Sequence, residues 1–227
     1  MPIDITERTL IRTGIYFLRG ELNEVNTQRT VEHILSCLPF IVGKFPFLTV
    51  IVHSTGGNIE DAFFLYDFLR DIDENVIPVR TVAGGYCFSG ATLVLQGGRI
   101  RLSYPYSNFH IHQVLLSSSE ESLSEVISSA KFTIKLQEKY FKLLVDRSNG
   151  KLNMRILKSK LKMRDWWFDA QEAYKYGIVD EIIKGGNLSA VHLPSERGGL
   201  LIPIDFVDRG EVRDDENDPG GPSDSSS

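Results

Sequence analysis

The chain has 227 residues, 42% hydrophobic and 24% charged, a balance that suits one α/β domain with some additional chain and supplies enough apolar material for a core. A net charge of −5 argues weakly against nucleic acid as a partner, since phosphate binding needs a basic patch, and no apolar run reaches the length of a membrane span. Cys37 and Cys87 lie far apart without metal-ligand spacing, no disulfide framework is suggested, and the opening MPIDITERTL lacks an apolar signal core, so a cytoplasmic, reducing compartment is expected.

Residues 1–10 read as a polar lead-in. Ile15 to Leu22 reads as a buried strand that breaks up at Gly20. Asn26-Thr27 opens a helical stretch in which Val31, Ile34, Leu35 and Leu38 share a face, and Pro39 is expected to end or kink it. Phe47 to His53 is a nearly continuous apolar run, the mark of a parallel strand buried on both faces. Ser54-Thr55-Gly56-Gly57-Asn58 follows, then a helix from Ile59 to Arg70, a solvated connector from Asp71 to Asn75, and a strand from Asn75 to Val82. This alternation argues for stacked βα units around a mostly parallel sheet.

The stretch Ala83 to Thr92 (AGGYCFSGAT) is the centre of the chain. It reads as strand, tight turn and helix. A serine at such a helix start has two jobs open to it. It can cap the helix, or its hydroxyl can be a nucleophile beside backbone N–H groups that receive an oxyanion.

Beyond it, Arg99 to Leu102 is a short strand and Asn108 to Gln113 another, with His110 and His112 two apart and therefore on one face. Ser119 or Ser122 caps a long helix from about Leu123 to Asp146, stopped by Ser148-Asn149-Gly150. A basic helix spans Leu152 to Met163. Arg164 to Asp169 precedes a short helix, Ala170 to Tyr176, closed by Gly177, and Ile178 to Ile183 is the last core strand. Asp208 to Ser227 is acidic and rich in Gly, Pro and Ser, a composition expected to stay disordered.

Several residue types here suit acyl-transfer chemistry. Ser89 needs a base and an orienting group. His112 is a candidate base, with His53 and His110 also near glycine turns or on the same strand face; His33 and His192 are poorly placed. Gly56-Gly57 is either a tight turn for close helix packing or a donor of N–H groups toward the carbonyl that Ser89 attacks. Asp165, between Arg164 and two tryptophans, either orients a histidine or pairs with an arginine.

In order, these motifs resemble the proteolytic subunit of the Clp protease, ClpP, and its wider serine-peptidase clan. The resemblance runs from about Ile15 to Ile183. His53 to Asn58 is similar to the family's Asn-Ser-Pro-Gly-Gly-Ser turn, Ile111-His112-Gln113 to its histidine strand, Arg164-Asp165 to its aspartate segment, and Ala170 to Asp180 (AQEAYKYGIVD) is the closest match.

The departures are specific. Aligned on the Gly-Ala that follows, Phe88 takes the nucleophile's place in the family's Ala-Ser-Met-Gly-Ala. Aligned on serine, Ser89-Gly90-Ala91 resembles the Ala-Ser-Gly-Gly turn of the related signal peptide peptidases, SppA. The two differ by about 100° of side-chain direction on a helical turn. Thr55 stands where the family has proline, and Val114 to Ser119 replaces its glycine-rich substrate strand.

The resemblance implies an α/β fold of the ClpP/crotonase type, a spiral of ββα units with a projecting long helix. With the change of composition from about Gly185, the chain reads as a peptidase domain over residues 1–184, an extension over 185–207 and a disordered acidic tail over 208–227. The resemblance implies a serine endopeptidase with Ser89 as nucleophile, His112 as general base, Asp165 as orienting carboxylate and the N–H groups of Gly57 and Gly90 as oxyanion hole. It requires no cofactor or metal. The implied partners are polypeptide substrates, further copies of the chain in a ring, and an ATP-driven (AAA+) unfoldase. Two alternatives stand beside it: an inactive ClpP-like subunit with a structural or regulatory role in a mixed ring, which the Phe88 alignment supports, and a crotonase-type acyl-CoA enzyme.

Overall fold

A computed structural model describes residues 5–115, 122–163 and 165–183. The chain divides into two units, Met1–Leu193 and Pro194–Ser227, and every described residue belongs to the first. The expected extension and acidic tail lie outside the described residues.

The described elements run α1 (Ile5–Thr13), β1 (Ile15–Leu22), α2 (Glu24–Ile41), β2 (Leu48–Gly57), α3 (Ile59–Asn75), β3 (Val79–Phe88), α4 (Gly90–Leu95), β4 (Ile100–Ser103), β5 (Asn108–His112), α5 (Leu123–Arg147), α6 (Met154–Lys160), β6 (Asp165–Asp169), α7 (Ala170–Lys175) and β7 (Glu181–Ile182). The strands form one sheet in the order β1-β2-β3-β4-β7, and β5 joins β3 to β6. All pairs are parallel except β5–β6. The expected α/β architecture with a mostly parallel sheet and a long helix is what the chain adopts.

Apolar runs explain the central strands. Leu48, Val50 and Val52 of β2 meet Val79 and Ala83 of β3 in the principal core, while Ile51 and Val82 point to the other face and join Leu102 and Ile183 in a smaller cluster. Burial on both faces is why these strands read as continuous rather than alternating. In β1 the pairing with β2 shifts register between Arg19 and Glu21, at Gly20, where the expected break occurs.

Four local expectations are corrected. Ile5–Thr13 is helix rather than lead-in, anchored by fully buried Leu10. Helix α2 is capped by Asn23, not opened at Asn26, and continues through Pro39 to Ile41 because buried Ile34, Cys37 and Ile41 hold its last turn in the core. Proline removes one backbone bond there, to the carbonyl of exposed Leu35, where solvent serves. The acidic run Asp71–Asn75 is the last turn of α3, not a connector. Arg70 pairs with Asp73 and Glu74 at 2.8 and 2.6 Å, and buried Asp73 also accepts from the Val79 N–H and the Arg99 guanidinium. Finally, only Glu181 and Ile182 pair as β7, so the expected strand from Ile178 is mostly loop.

That loop explains why the Gly-Ile-Val-Asp segment is built as it is. Arg101, on β4, is almost wholly buried. Its Nη1 donates to Gln96 Oε1 at 2.6 Å and to the Gly177 carbonyl at 3.1 Å; Nε donates to Asp180 Oδ2 at 3.0 Å, and Nη2 to Asp180 Oδ1. A buried guanidinium stripped of its carboxylate is left uncompensated. Asp180→Ala is therefore expected to cost about 3–5 kcal/mol of stability, read by denaturant titration; a loss below about 1 kcal/mol would show that the pair contributes no more than a surface ion pair.

Among the described residues no helix is long and apolar enough to cross a membrane.

Candidate functional site

Strand β3 forks. Its first half, Arg80 to Ala83, pairs with β4, while Tyr86 to Phe88 pair with β5. The glycine pair at 84–85 lies inside this strand at the fork, so the tight turn expected within Ala83 to Thr92 shrinks to one residue, Ser89. The fork carries the end of β3 away from β4 and lays it beside β5, the strand with the two histidines.

Ser89 has φ 51° and ψ −126°, one of two non-glycine residues with positive φ among those described. A β-bearing residue rarely adopts this conformation, and such strain persists only when its surroundings hold it. Its N–H donates to the His110 carbonyl at 2.7 Å. Its carbonyl accepts from the Thr92 N–H at 2.9 Å and the Thr92 hydroxyl at 2.7 Å. The Tyr140 hydroxyl lies 2.6 Å from Thr92 Oγ1 and 3.2 Å from the Ser89 carbonyl. Burial drives the Tyr140 phenol well above its ordinary pKa, so it stays a protonated donor.

Neither Tyr140 nor Thr92 stands out as a site residue in the sequence. The signal for Tyr140 was its hydroxyl, which needs a partner when buried.

Ser89 stands at the N-cap position of α4, yet its side chain makes no capping bond. Its Oγ instead lies 2.7 Å from His112 Nε2. The other ring nitrogen, Nδ1, is 2.6 Å from the Gln113 carbonyl. A carbonyl oxygen can only accept, so in the neutral ring Nδ1 carries the proton and Nε2 is free to accept from the serine hydroxyl. Phe88, by contrast, packs edge-on against Trp167 and His110 at ring separations of 5.1 and 6.0 Å. Between the two alignments, the side chain that meets the histidine is Ser89.

The end of β2 lies directly against this turn. A Cβ on Gly56 would fall 2.5 Å from the Phe88 carbonyl oxygen and 2.8 Å from both the Gly90 nitrogen and Ser89 Cβ. A Cβ on Gly57 would fall 2.2 Å from the Leu22 carbonyl oxygen. Only glycine permits this approach. Gly57 lines the cleft with Ser89 and His112, and Gly90, as first residue of α4, has no carbonyl one turn back for its N–H to bond. The cleft has a volume of about 660 Å³ and an apolar flank from Val114, Phe132 and Leu136, the last two on α5.

The other residues singled out in the sequence fall as follows. His53 Nδ1 is 2.5 Å from the Gly84 carbonyl, its ring lies 3.8 Å from Tyr86, and it does not line the cleft that holds Ser89 and His112. Asp165 pairs with His112 in the β5–β6 register, but its carboxylate does not reach His112. Its Oδ2 lies 3.4 Å from His110 Nε2. The orienting contact expected from Asp165 is made instead by the Gln113 carbonyl, because the carboxylate turns diagonally to the neighbouring imidazole. His192 lies outside the described residues.

The sequence profile of the Clp protease family matches residues 2–186. The chain is 32% identical over 175 residues to the ATP-dependent Clp protease proteolytic subunit of Pleurastrum terricola, covering 75% of this chain and 84% of that one. It is 30% identical over 190 residues to the protein of the same name from Lotus japonicus, covering 78% and 87%. Among solved structures, a mutant of ClpP1 from Listeria monocytogenes aligns with a TM-score of 0.67 at 24% identity, over 83% of this chain and 100% of that one, which supports the fold.

Proposed function

The chain belongs to the Clp protease family and is a serine-type endopeptidase; we propose that it hydrolyses peptide bonds with Ser89 as nucleophile and His112 as general base. His112 Nε2 takes the proton from Ser89 Oγ as the oxygen attacks the scissile carbonyl. The N–H groups of Gly57 and Gly90 receive the negative charge that develops on the carbonyl oxygen. The protonated His112 then gives its proton to the leaving amine, and water hydrolyses the acyl-serine by the same route. Asp165, across the strand pair from His112, balances the charge on the imidazolium.

The observation that carries this reading is the 2.7 Å contact between a serine hydroxyl released from capping and an imidazole nitrogen whose tautomer leaves it an acceptor. The family reading extends to assembly. The chain forms a ring of like subunits in the cytoplasm and takes polypeptides delivered by an ATP-driven unfoldase. Apolar side chains exposed along α5, Ile127, Phe132 and Ile134 among them, supply surface for contacts between copies.

The test is labelling with a fluorophosphonate probe, with peptide mapping, on protein sized by sedimentation. Labelling at Ser89 that Ser89→Ala and His112→Ala both abolish is the expected result. An unlabelled ring would assign the chain to a non-catalytic subunit, and a monomer alone would remove the ring from the reading.

A further inference from the structure

Ser89 sits at φ 51° and ψ −126°, a conformation that a residue with a side chain keeps only when its surroundings over-determine it. Its own hydroxyl does not hold it, because Oγ makes no capping bond and lies on His112 Nε2. The restraint comes from the peptide groups on either side. The N–H is fixed by β5, through the His110 carbonyl at 2.7 Å. The carbonyl is fixed by α4 and α5: it meets the Thr92 N–H at 2.9 Å, the Thr92 hydroxyl at 2.7 Å and the Tyr140 hydroxyl at 3.2 Å.

A proton count orders these contacts. The oxygen has two lone pairs, and each hydroxyl has one proton to give. The two hydroxyls lie 2.6 Å apart. Every bond is satisfied when Tyr140 donates to Thr92 Oγ1 and Thr92 donates to the Ser89 carbonyl beside its own N–H. Tyr140 is then a second donor in reserve, 3.2 Å from the same oxygen. A threonine bonded back to the carbonyl three residues earlier is ordinary by itself. A second hydroxyl on that oxygen, brought from another helix, is not. Tyr140 and Thr92 are 2% and 0% exposed, so bulk water does not stand in for a lost hydroxyl. Burial also keeps the phenol protonated and able to donate.

From this geometry we propose that Tyr140 and Thr92 are positioning residues for the nucleophile: their linked hydroxyls hold the Ser89 carbonyl, and with it the backbone turn that aims Oγ at His112. The inference rests on the peptidase reading of Ser89 and His112. Its physical content is redundancy. Thr92→Val leaves the Tyr140 hydroxyl free to turn to the carbonyl. Tyr140→Phe leaves the Thr92 bond in place. The carbonyl loses its last side-chain donor only when both are changed.

The test follows hydrolysis of a fluorogenic peptide, and amide exchange at the Ser89 N–H by NMR, in the full chain. Five proteins are compared: the parent, Thr92→Val, Tyr140→Phe, the double variant, and Tyr140→Phe combined with Thr92→Ser. Each single change is expected to lower kcat by about threefold at most, the scale of one neutral hydrogen bond. The double variant is expected to lose about a hundredfold, as a displacement near 1 Å at a reacting group does, with KM nearly unchanged. Thr92→Ser keeps a hydroxyl on the carbonyl, so with Tyr140→Phe it should behave as Tyr140→Phe alone. Exchange at Ser89 should quicken about tenfold or more in the double variant and little in the single ones. Its Tm should fall little, because replacing both hydroxyls by apolar groups of similar shape is nearly neutral. A packing role would lower Tm and leave kcat and exchange alone. Thr92→Ala replaces Thr92→Val should valine disturb the fold. Losses in the double variant no greater than the product of the single ones, or a loss carried by KM, would overturn the proposal. If the parent hydrolyses no peptide, the peptidase reading fails, and exchange at Ser89 decides whether the two hydroxyls hold the turn.

Discussion

Ser89→Ala is expected to abolish peptide hydrolysis, and adding His112→Ala is expected to lower it no further. The two side chains act as one unit: the imidazole accepts the proton that makes the hydroxyl a nucleophile, across 2.7 Å. Removing either removes the whole step, so each single change should cost about 10⁵–10⁶ in kcat, and the pair should cost the same. What survives is the contribution of binding and of the oxyanion donors, about 10³–10⁴ over water. Hydrolysis of a fluorogenic peptide by both single variants and the double variant measures this. Losses that multiply in the double variant would mean that serine and histidine work independently, and the assigned mechanism would not stand. Ser89→Ala should also leave stability nearly unchanged, since the hydroxyl caps no helix.

Gly56→Ala is expected to cost about 10³ in kcat, with a clear fall in Tm. Gly56 has φ 82°, which alone strains any L side chain by about 1–2 kcal/mol. The larger effect is steric. The new methyl would sit 2.5 Å from the Phe88 carbonyl oxygen and 2.8 Å from the Gly90 nitrogen and Ser89 Cβ, all rigid parts of the turn. Something must shift, and each group it meets belongs to the nucleophile or to the proposed oxyanion hole. A displacement of about 1 Å at a reacting group is enough for a hundredfold loss. Gly150→Ala is the control. It has φ 77° and open space where the methyl would go, so it carries the strain without the clash. It should lower Tm modestly and leave kcat alone. Equal losses of activity in the two variants would show that the clash at residue 56 does not disturb the turn.

How much of this was legible in the sequence depends on the reach of each interaction. The order of elements was legible because it follows from local patterns: the shared apolar face of α2, the continuous run of β2 and the Ser122 cap of α5, which forms a full capping box with Glu125. Errors fell where tertiary contacts overrode composition. Asp71–Asn75 looks solvated, but Asp73 is buried between Arg70, Arg99 and the Val79 N–H. Pro39 does not end the helix, because the buried side of α2 carries it on to Ile41. The Trp166-Trp167 pair alternates across the sheet: Trp166 is in the core, Trp167 faces His110.

The sequence by itself determined the candidate set: a serine between glycines after a strand, two histidines on one strand face, a glycine pair at the end of β2 and an aspartate before the last helix. Local spacing suffices for that, because strand and helix periods assign faces without knowledge of neighbours. Only the tertiary structure decided which members meet. Phe88 and Ser89 differ by one residue, and the choice between them is made by a histidine 23 positions away, brought alongside by the fork in β3. Asp165 stands opposite His112 in register, yet its Oδ2 lies 3.4 Å from His110 Nε2 and His112 Nδ1 meets the Gln113 carbonyl. Side-chain direction over a few ångströms is set by packing from several strands at once, and no single stretch of chain contains that information.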